Sequence, residues 1–227
     1  MKKYSLFFSV CCLSLMVSFT ADAQWNKWGN GVSGEGKKVT KTLDIDDFTG
    51  IGVSIGAEVH LRQGNKQKVE IKAQQNIIDL IDRDVRNGKW KVRLEKGTNL
   101  KRHDGIDVYI TLPMIDELSV AGSGSITGET DFKNIDDLEV SIAGSGEVTL
   151  NGSGEDLEVS IAGSGDVDLA GFKVDDCEVS IAGSGDCEIN VSGSLQVSIA
   201  GSGDVKYKGD PDKVKSSIAG SGDVRSF

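Results

Sequence analysis

A four-residue phrase, AGSG, occurs six times in this 227-residue chain and constrains its fold more than any other feature. The spacings between successive copies are 22, 19, 20, 18 and 19 residues. A period near 20 residues with one strongly kept phrase indicates a stacked array of structural repeats. The copies begin at Ala121, Ala143, Ala162, Ala182, Ala200 and Ala219.

The residues around each phrase alternate between apolar and polar. LEVSI at residues 138–142 precedes one phrase, and DVDL at residues 166–169 follows another. Alternation of this kind is typical of half-buried β-strands. A strand, a glycine turn, a second strand and a variable loop in about 20 residues match one coil of a parallel β-helix. The sequence therefore predicts an all-β protein in which residues 119–227 form a parallel β-helix-like array, right-handed because crossovers between parallel strands prefer that hand.

Stacked coils would bring equivalent apolar residues into interior columns. The glycines would reach backbone angles closed to other residues and let neighbouring turns approach closely, so the phrase needs no ligand to explain it. One predicted column is Ile142, Ile161, Ile181, Ile199 and Ile218, and a second is Val140, Val159, Val179 and Val197.

The region before the array is less regular but still rich in alternating runs. Residues 38–118 are predicted to form an irregular β region, a cap with early coils, with one short helix within residues 76–85. Residues 53–61 read like a repeat whose turn has lost two residues. Residues 24–37, rich in glycine, asparagine and serine, are predicted to be a flexible leader.

The first 23 residues have the pattern of a secretory signal peptide. A basic start at Lys2 and Lys3 precedes a mostly apolar run, and Ala21-Asp22-Ala23 is a small-x-small cleavage site. We therefore predict an exported protein, located in the periplasm, on the outer surface or in the medium. No other apolar stretch is long enough to span a bilayer.

The net charge of −10 argues against nucleic acid and anionic lipid as partners.

Two cysteines follow the predicted cleavage site. An oxidising compartment favours a disulfide between Cys177 and Cys187. Their register favours two buried free thiols instead, because Cys177 stands where another repeat has Leu157 and Cys187 where another has Val167. Both alternatives remain open from the sequence.

Iterated (V/I)-A-G-S-G-(D/E)-V phrases, behind a signal peptide and an irregular β segment, resemble the GIN-domain family of putative auto-transporter adhesin head domains. The resemblance covers about residues 38–227, and the six AGSG phrases carry most of it. It implies an exported, β-helix-like protein of Gram-negative bacteria. It supplies no catalytic residues.

The acidic residue after each turn is the sharpest candidate site. Stacking would place these carboxylates about 4.8 Å apart, and bound Ca²⁺ would relieve their repulsion. The alternative is that each carboxylate accepts backbone N–H groups at the turn and faces water. The alternative fits better, because calcium-binding β-rolls repeat every nine residues. The candidate calcium ladder is Glu147, Asp166, Asp186, Asp204 and Asp223.

Catalytic patterns are weak. A second acidic column, at Glu139, Glu158 and Glu178, is typical of a solvated face, and nothing marks the paired carboxylates in a cleft that glycoside hydrolysis needs. The histidines, His60 and His103, lie far in sequence from the serine-rich turns. No catalytic residue, cofactor or metal site is predicted.

These observations favour a non-enzymatic surface or envelope binding module, an adhesin, with a glycan or another cell-surface ligand as candidate partner. A polysaccharide-acting β-helix enzyme and a structural envelope scaffold are the alternatives. The last coil carries Pro211, Lys215 and Ser216 where an exposed strand edge needs protection, which predicts a polar cap and a monomer.

Overall fold

The computed structural model describes residues 31–227. The predicted signal peptide and residues 24–30 of the predicted leader lie outside the described residues. Within them, all strands belong to one sheet of 16 strands. The prediction of an all-β fold is confirmed.

The N-terminal half contains seven strands and one short helix. The helix predicted within residues 76–85 is present as a single turn, α1 (Gln75–Ile78). The strands are β1 (Lys38–Leu43), β2 (Gly50–Val53), β3 (Glu58–Gln63), β4 (Lys68–Gln74), β5 (Val85–Arg86), β6 (Lys89–Val92) and β7 (Asp107–Leu112).

The repeat region contains nine strands, four of which are long because they bend around the coil without losing their backbone pairing. The strands are β8 (Glu117–Gly122), β9 (Ser125–Gly128), β10 (Phe132–Gly144), β11 (Glu147–Gly163), β12 (Asp166–Gly183), β13 (Cys187–Gly201), β14 (Val205–Lys208), β15 (Lys213–Gly220) and β16 (Val224–Ser226).

The strands stack in parallel along two sides of a β-solenoid. On the side that precedes each AGSG turn, here called the long side, the order is β6, β2, β8, β10, β11, β12, β13, β15. On the short side, which follows the turn, β7, β3 and β9 lead into the first segments of β11, β12 and β13, and then into β14 and β16. The predicted parallel β-helix-like array is confirmed, and its right-handed sense stays a prediction.

Chain order and spatial order differ at the N-terminal end. The layer made by β2 and β3 lies between the later layer of β6 and β7 and the first AGSG layer. The chain therefore forms the second layer first, then the terminal layer, and then passes to the third. Antiparallel strands β1, β4 and β5 complete this end.

The expectation of a shortened turn at residues 53–61 is wrong. Val53 pairs with Val120 and Glu58 with Ser125, so five steps separate the paired positions in both layers. The turn has full length. The turn looks short in the sequence only if Val53 is aligned with the valine of the later repeats. In the structure Val53 is in register with their isoleucine, through Val120 to Ile142.

The interior columns are confirmed by register and burial. Ile142, Ile161, Ile181 and Ile199 pair in sequence across the coils, and each side chain is 2 or 3% exposed. Ile218 continues the column in the last coil but is 41% exposed, because no further layer covers it among the described residues.

The C-terminal layer leaves two strand edges unpaired within residues 31–227, one on β16, which pairs only with β14, and one on β15. Strand β15 pairs only with β13, and all eight of its residues are exposed. Lys213, Lys215, Ser216 and Ser217 make this edge polar, as expected for an edge that discourages pairing with another chain. The monomeric state stays a prediction.

The described part of the predicted leader is held in place. Val32 N–H donates to the carbonyl of Asn99 at 2.8 Å, and Gly34 N–H donates to that of Arg102 at 2.7 Å. Flexibility therefore stays a prediction for residues 24–30 only.

The AGSG turns join the coils through one repeated hydrogen bond. From the second AGSG turn onward, the serine N–H donates to the carbonyl of the first glycine one coil earlier, as from Ser184 to Gly163 at 2.8 Å. The first glycines have φ values from +107° to +144°, where L side chains are strained. A Cβ at Gly183 would also collide with the Gly163 carbonyl oxygen. The phrase is thus explained by backbone geometry and close approach.

Replacing Gly183 by alanine is expected to destabilise the protein by about 2–4 kcal/mol, since it adds backbone strain and overpacking at the corner. Gly56→Ala is the matched control, because this turn glycine has a negative or extended φ and its Cβ would meet only Ser123 Oγ, at 3.9 Å. Urea unfolding of both variants measures the difference. Equal midpoints would contradict the assigned role of the AGSG glycines.

The two cysteines are free thiols that take core positions. Cys177 pairs with Leu157 and Leu195, and Cys187 pairs with Val167 and Val205. Burial, with a smaller contribution from the Glu178 carboxylate, raises the pKa of Cys177 to about 12. Burial also raises the pKa of Cys187 well above its usual value. Of the two alternatives left open by the sequence, the structure has the buried free thiols.

Both thiols are expected to resist labelling by a thiol reagent at pH 8 in the native protein, because they are buried and protonated. Unfolding in urea without reductant should release two reactive thiols per chain in the protein from which the predicted signal peptide, with Cys11 and Cys12, has been removed. Mass spectrometry of the alkylated protein measures this. Labelling that requires a reductant would reveal a disulfide and overturn the assignment.

Candidate functional site

The outward side chains of the long side form straight rows because the coils stack in register. Position by position, successive coils carry the same residue type, so each row runs parallel to the solenoid axis. We call this surface the serine–glutamate face. Its glutamate row is Glu117, Glu139, Glu158 and Glu178, continued by Gln196 and Lys215; its serine row is Ser119, Ser141, Ser160, Ser180, Ser198 and Ser217.

Two shallow grooves follow these rows. One of about 700 Å³ runs along the glutamate row and a neighbouring aspartate row that includes Asp156 and Asp176. The other, of about 680 Å³, runs along the serine row and the alanines of the AGSG phrases. Lys89 lines both grooves at one end, where its ammonium group forms an ion pair with Glu117. The face thus offers long, open grooves rather than an enclosed cavity.

Hydrogen bonds between coils fix some of these acids. The Ser194 hydroxyl and backbone N–H both donate to Asp176 Oδ1 at 2.7 Å, and these bonds lower the pKa of Asp176. Gln196 Nε2 donates to Glu178 Oε1 at 3.3 Å. A carboxyl group with a lowered pKa stays ionised and acts as a hydrogen-bond acceptor.

The candidate calcium ladder lies on the other side of the coil, at the start of the short-side strands. Asp166 Oδ1 accepts the backbone N–H of Asp186 at 3.2 Å, and Asp186 does the same for Asp204 at 2.9 Å. Asp204 accepts the N–H of Asp223 at 3.0 Å, while Glu147 begins the row in register with Asp166. The carboxylates thus join successive coils. These bonds agree with the favoured interpretation that the acids accept backbone N–H groups, and the calcium ladder remains the untested alternative.

The acidic row extends beyond the AGSG coils. Glu147 pairs with Ser125, Ser125 with Glu58, and Glu58 with Asp107. Within residues 31–227, one group of three histidine, cysteine or acidic residues brings its ligand atoms within 4.8 Å of one another: Glu58, His60 and Asp107. Sequence reasoning missed this group, since Asp107 is distant in the chain and meets β3 only through strand pairing.

The histidines do not meet the turn serines in a catalytic arrangement. His103 Nδ1 accepts the backbone N–H of Gly105 at 3.1 Å, which stabilises its loop. His60 Nδ1 lies 3.3 Å from Glu129 Oε1, and its ring stacks on Tyr109 with centroids 4.8 Å apart. Among the described residues, no helix has the length and apolarity needed to cross a bilayer.

Solved structures with the same fold come from several bacteria. A putative adhesin of Bacteroides fragilis is 22% identical, with 87% of this chain and 100% of that chain covered and a TM-score of 0.71. A putative lipid binding protein of Parabacteroides distasonis is 23% identical, with 86% and 99% covered and a TM-score of 0.59. A putative adhesin of Parabacteroides merdae is 22% identical, with 87% and 99% covered and a TM-score of 0.52. At these identities the likeness establishes the fold alone.

No curated protein matches this chain. A family model does match, over residues 47–211, and it spans both the irregular N-terminal layers and five of the six AGSG turns. The chain belongs to the family described as "Putative auto-transporter adhesin, head GIN domain".

Proposed function

We propose that this protein is an exported, non-enzymatic binding module of the cell envelope, an adhesin whose binding surface is the serine–glutamate face. One observation carries the proposal: identical polar side chains repeat in register along two open grooves. Such a surface is suited to an extended ligand with many similar contacts rather than to one small substrate.

The chemistry of the rows favours a glycan as the ligand. Carboxylates accept hydrogen bonds from sugar hydroxyl groups, and serine hydroxyls both donate and accept. Neighbouring coils present these groups about 4.8 Å apart, the spacing of paired strands. The adhesin descriptions of the family and of two structural neighbours support the same class of function.

One carboxyl group of the glutamate-row groove is suited to accepting hydrogen bonds. The bonds from Ser194 lower the pKa of Asp176, so that this group stays ionised. The pKa of Asp82, outside the grooves, is also lowered, first by the backbone N–H of Asp84 and also by its ion pair with Arg93.

Binding to a glycan array, without turnover of any glycan, is the expected behaviour of the protein. Ser160→Arg should weaken binding at least tenfold, about 1.4 kcal/mol, because it places a long side chain across the middle of the serine row. Thr149→Arg is the matched control. Both residues are half-buried and lie on β11, but Thr149 belongs to the short side.

Circular dichroism and thermal unfolding of both variants verify that the fold is intact. Equal loss of binding in the two variants would contradict the assignment of the face. Release of sugars from any bound polysaccharide would favour the enzyme alternative, and a protein that binds no glycan would favour the scaffold.

Export is tested separately by cell fractionation. We expect the chain in the periplasm, on the outer surface or in the medium, with its amino terminus near residue 24 after cleavage. Amino-terminal sequencing of the recovered protein measures this. An uncleaved chain in the cytoplasm would contradict the proposal.

A further inference from the structure

A mixed cluster of histidine and carboxylate side chains lies on the outer surface of the short side, away from the serine–glutamate face. Glu58 and His60 alternate on β3 and so share one face of the strand. Asp107 on β7 pairs directly with Glu58. One ligand atom from each of these three residues lies within 4.8 Å of the other two.

The imidazole of His60 is oriented by groups outside the cluster. Glu129 Oε1 lies 3.3 Å from His60 Nδ1. Glu129 is itself held in place by two contacts. Arg62 binds the other carboxylate oxygen of Glu129, and the backbone N–H of Glu129 donates to the Leu61 carbonyl at 2.8 Å. Tyr109 stacks on the ring at an interplanar angle of 14°. Metal-binding histidines usually have a carboxylate beside one ring nitrogen, and Glu129 lies beside His60 in this way.

Charged side chains surround the cluster. Glu58, Asp107 and Glu129 carry three negative charges, and Lys38, Arg62 and Lys72, which pairs with Asp107 on β4, supply three positive charges. The Lys38 ammonium group lies 2.8 Å from Asp107 Oδ2, with side chains only 23% and 18% exposed. The Lys38 ammonium group therefore binds Asp107, one of the three ligands, and would compete there with a metal ion.

We propose that Glu58, His60 and Asp107 form a site for a divalent transition metal ion of the Zn²⁺ class. Imidazole favours such metals over Ca²⁺ and Mg²⁺, and two carboxylates with one histidine leave coordination positions open for water or a ligand atom. Glu129 is a positioning residue that holds the imidazole, and Lys38 is a competing cation. The site lies apart from the serine–glutamate face and does not rest on the proposed adhesion.

Isothermal titration of the untagged protein with ZnCl₂, after dialysis against a chelator, tests the proposal. We expect one Zn²⁺ per chain, and His60→Ala should raise the Kd at least tenfold. His103→Ala is the matched control and should leave the Kd unchanged, since the His103 ring contacts its own loop. Absence of Zn²⁺ binding, or an unchanged Kd in His60→Ala, would overturn the proposal.

Two further variants separate a metal site from a general effect on folding. Glu129→Gln keeps all three ligands but weakens the orientation of His60, so the Kd should rise about 10–100-fold. Lys38→Gln should lower the Kd, because it removes the cation that competes at Asp107. Tighter binding in Lys38→Gln cannot result from damage to the fold, which circular dichroism checks in every variant. A Kd that does not change in either variant would contradict the assigned roles.

Discussion

The hydrogen bond from each turn serine N–H to the glycine carbonyl of the preceding coil is the interaction on which this structure depends. The bond recurs at 2.8 Å between successive AGSG turns and links all six. It fixes the position of each coil relative to the coil before it. Because register along a strand has a period of two, a slip of one residue would turn every core side chain outward. The corner prevents that slip. The isoleucine and valine columns inside the solenoid follow from the same constraint as the rows outside it.

The regular rows of side chains on the outer surface result from this backbone contact rather than from contacts among the side chains themselves. Serines and glutamates on the long side form rows because their strands cannot shift. Among residues 31–227, the side-chain contacts of these rows are the Lys89–Glu117 ion pair and the Gln196–Glu178 hydrogen bond, too few to hold a row together. A surface of this kind presents chemistry at a fixed interval without needing a pocket. The proposed adhesin function uses that property.

The sequence predicted what repeats and missed what does not. The strand–turn–strand coil, the interior columns and the core positions of Cys177 and Cys187 could be predicted because each is copied from coil to coil. The insertion of the β2–β3 layer between β6–β7 and β8–β9 could not, because no phrase marks which early strands pair. The cluster of Glu58, His60 and Asp107 depends on that same pairing, so it was equally hidden.

The first glycine of each AGSG turn restricts the equivalent position in the next coil toward the C-terminus, and not in the coil before it. A Cβ at Gly122, in the first AGSG turn, would meet nothing within 4 Å. In the next coil, a Cβ at Gly144 would lie against the carbonyl oxygen of Gly122, and the same collision recurs at every later first glycine. A left-handed turn therefore forces the turn stacked on it to use glycine as well. The N-terminal layers do not need glycine at this position, because Ser54-Ile55-Gly56-Ala57 forms a different corner. This explains why AGSG begins only at the third layer of the solenoid.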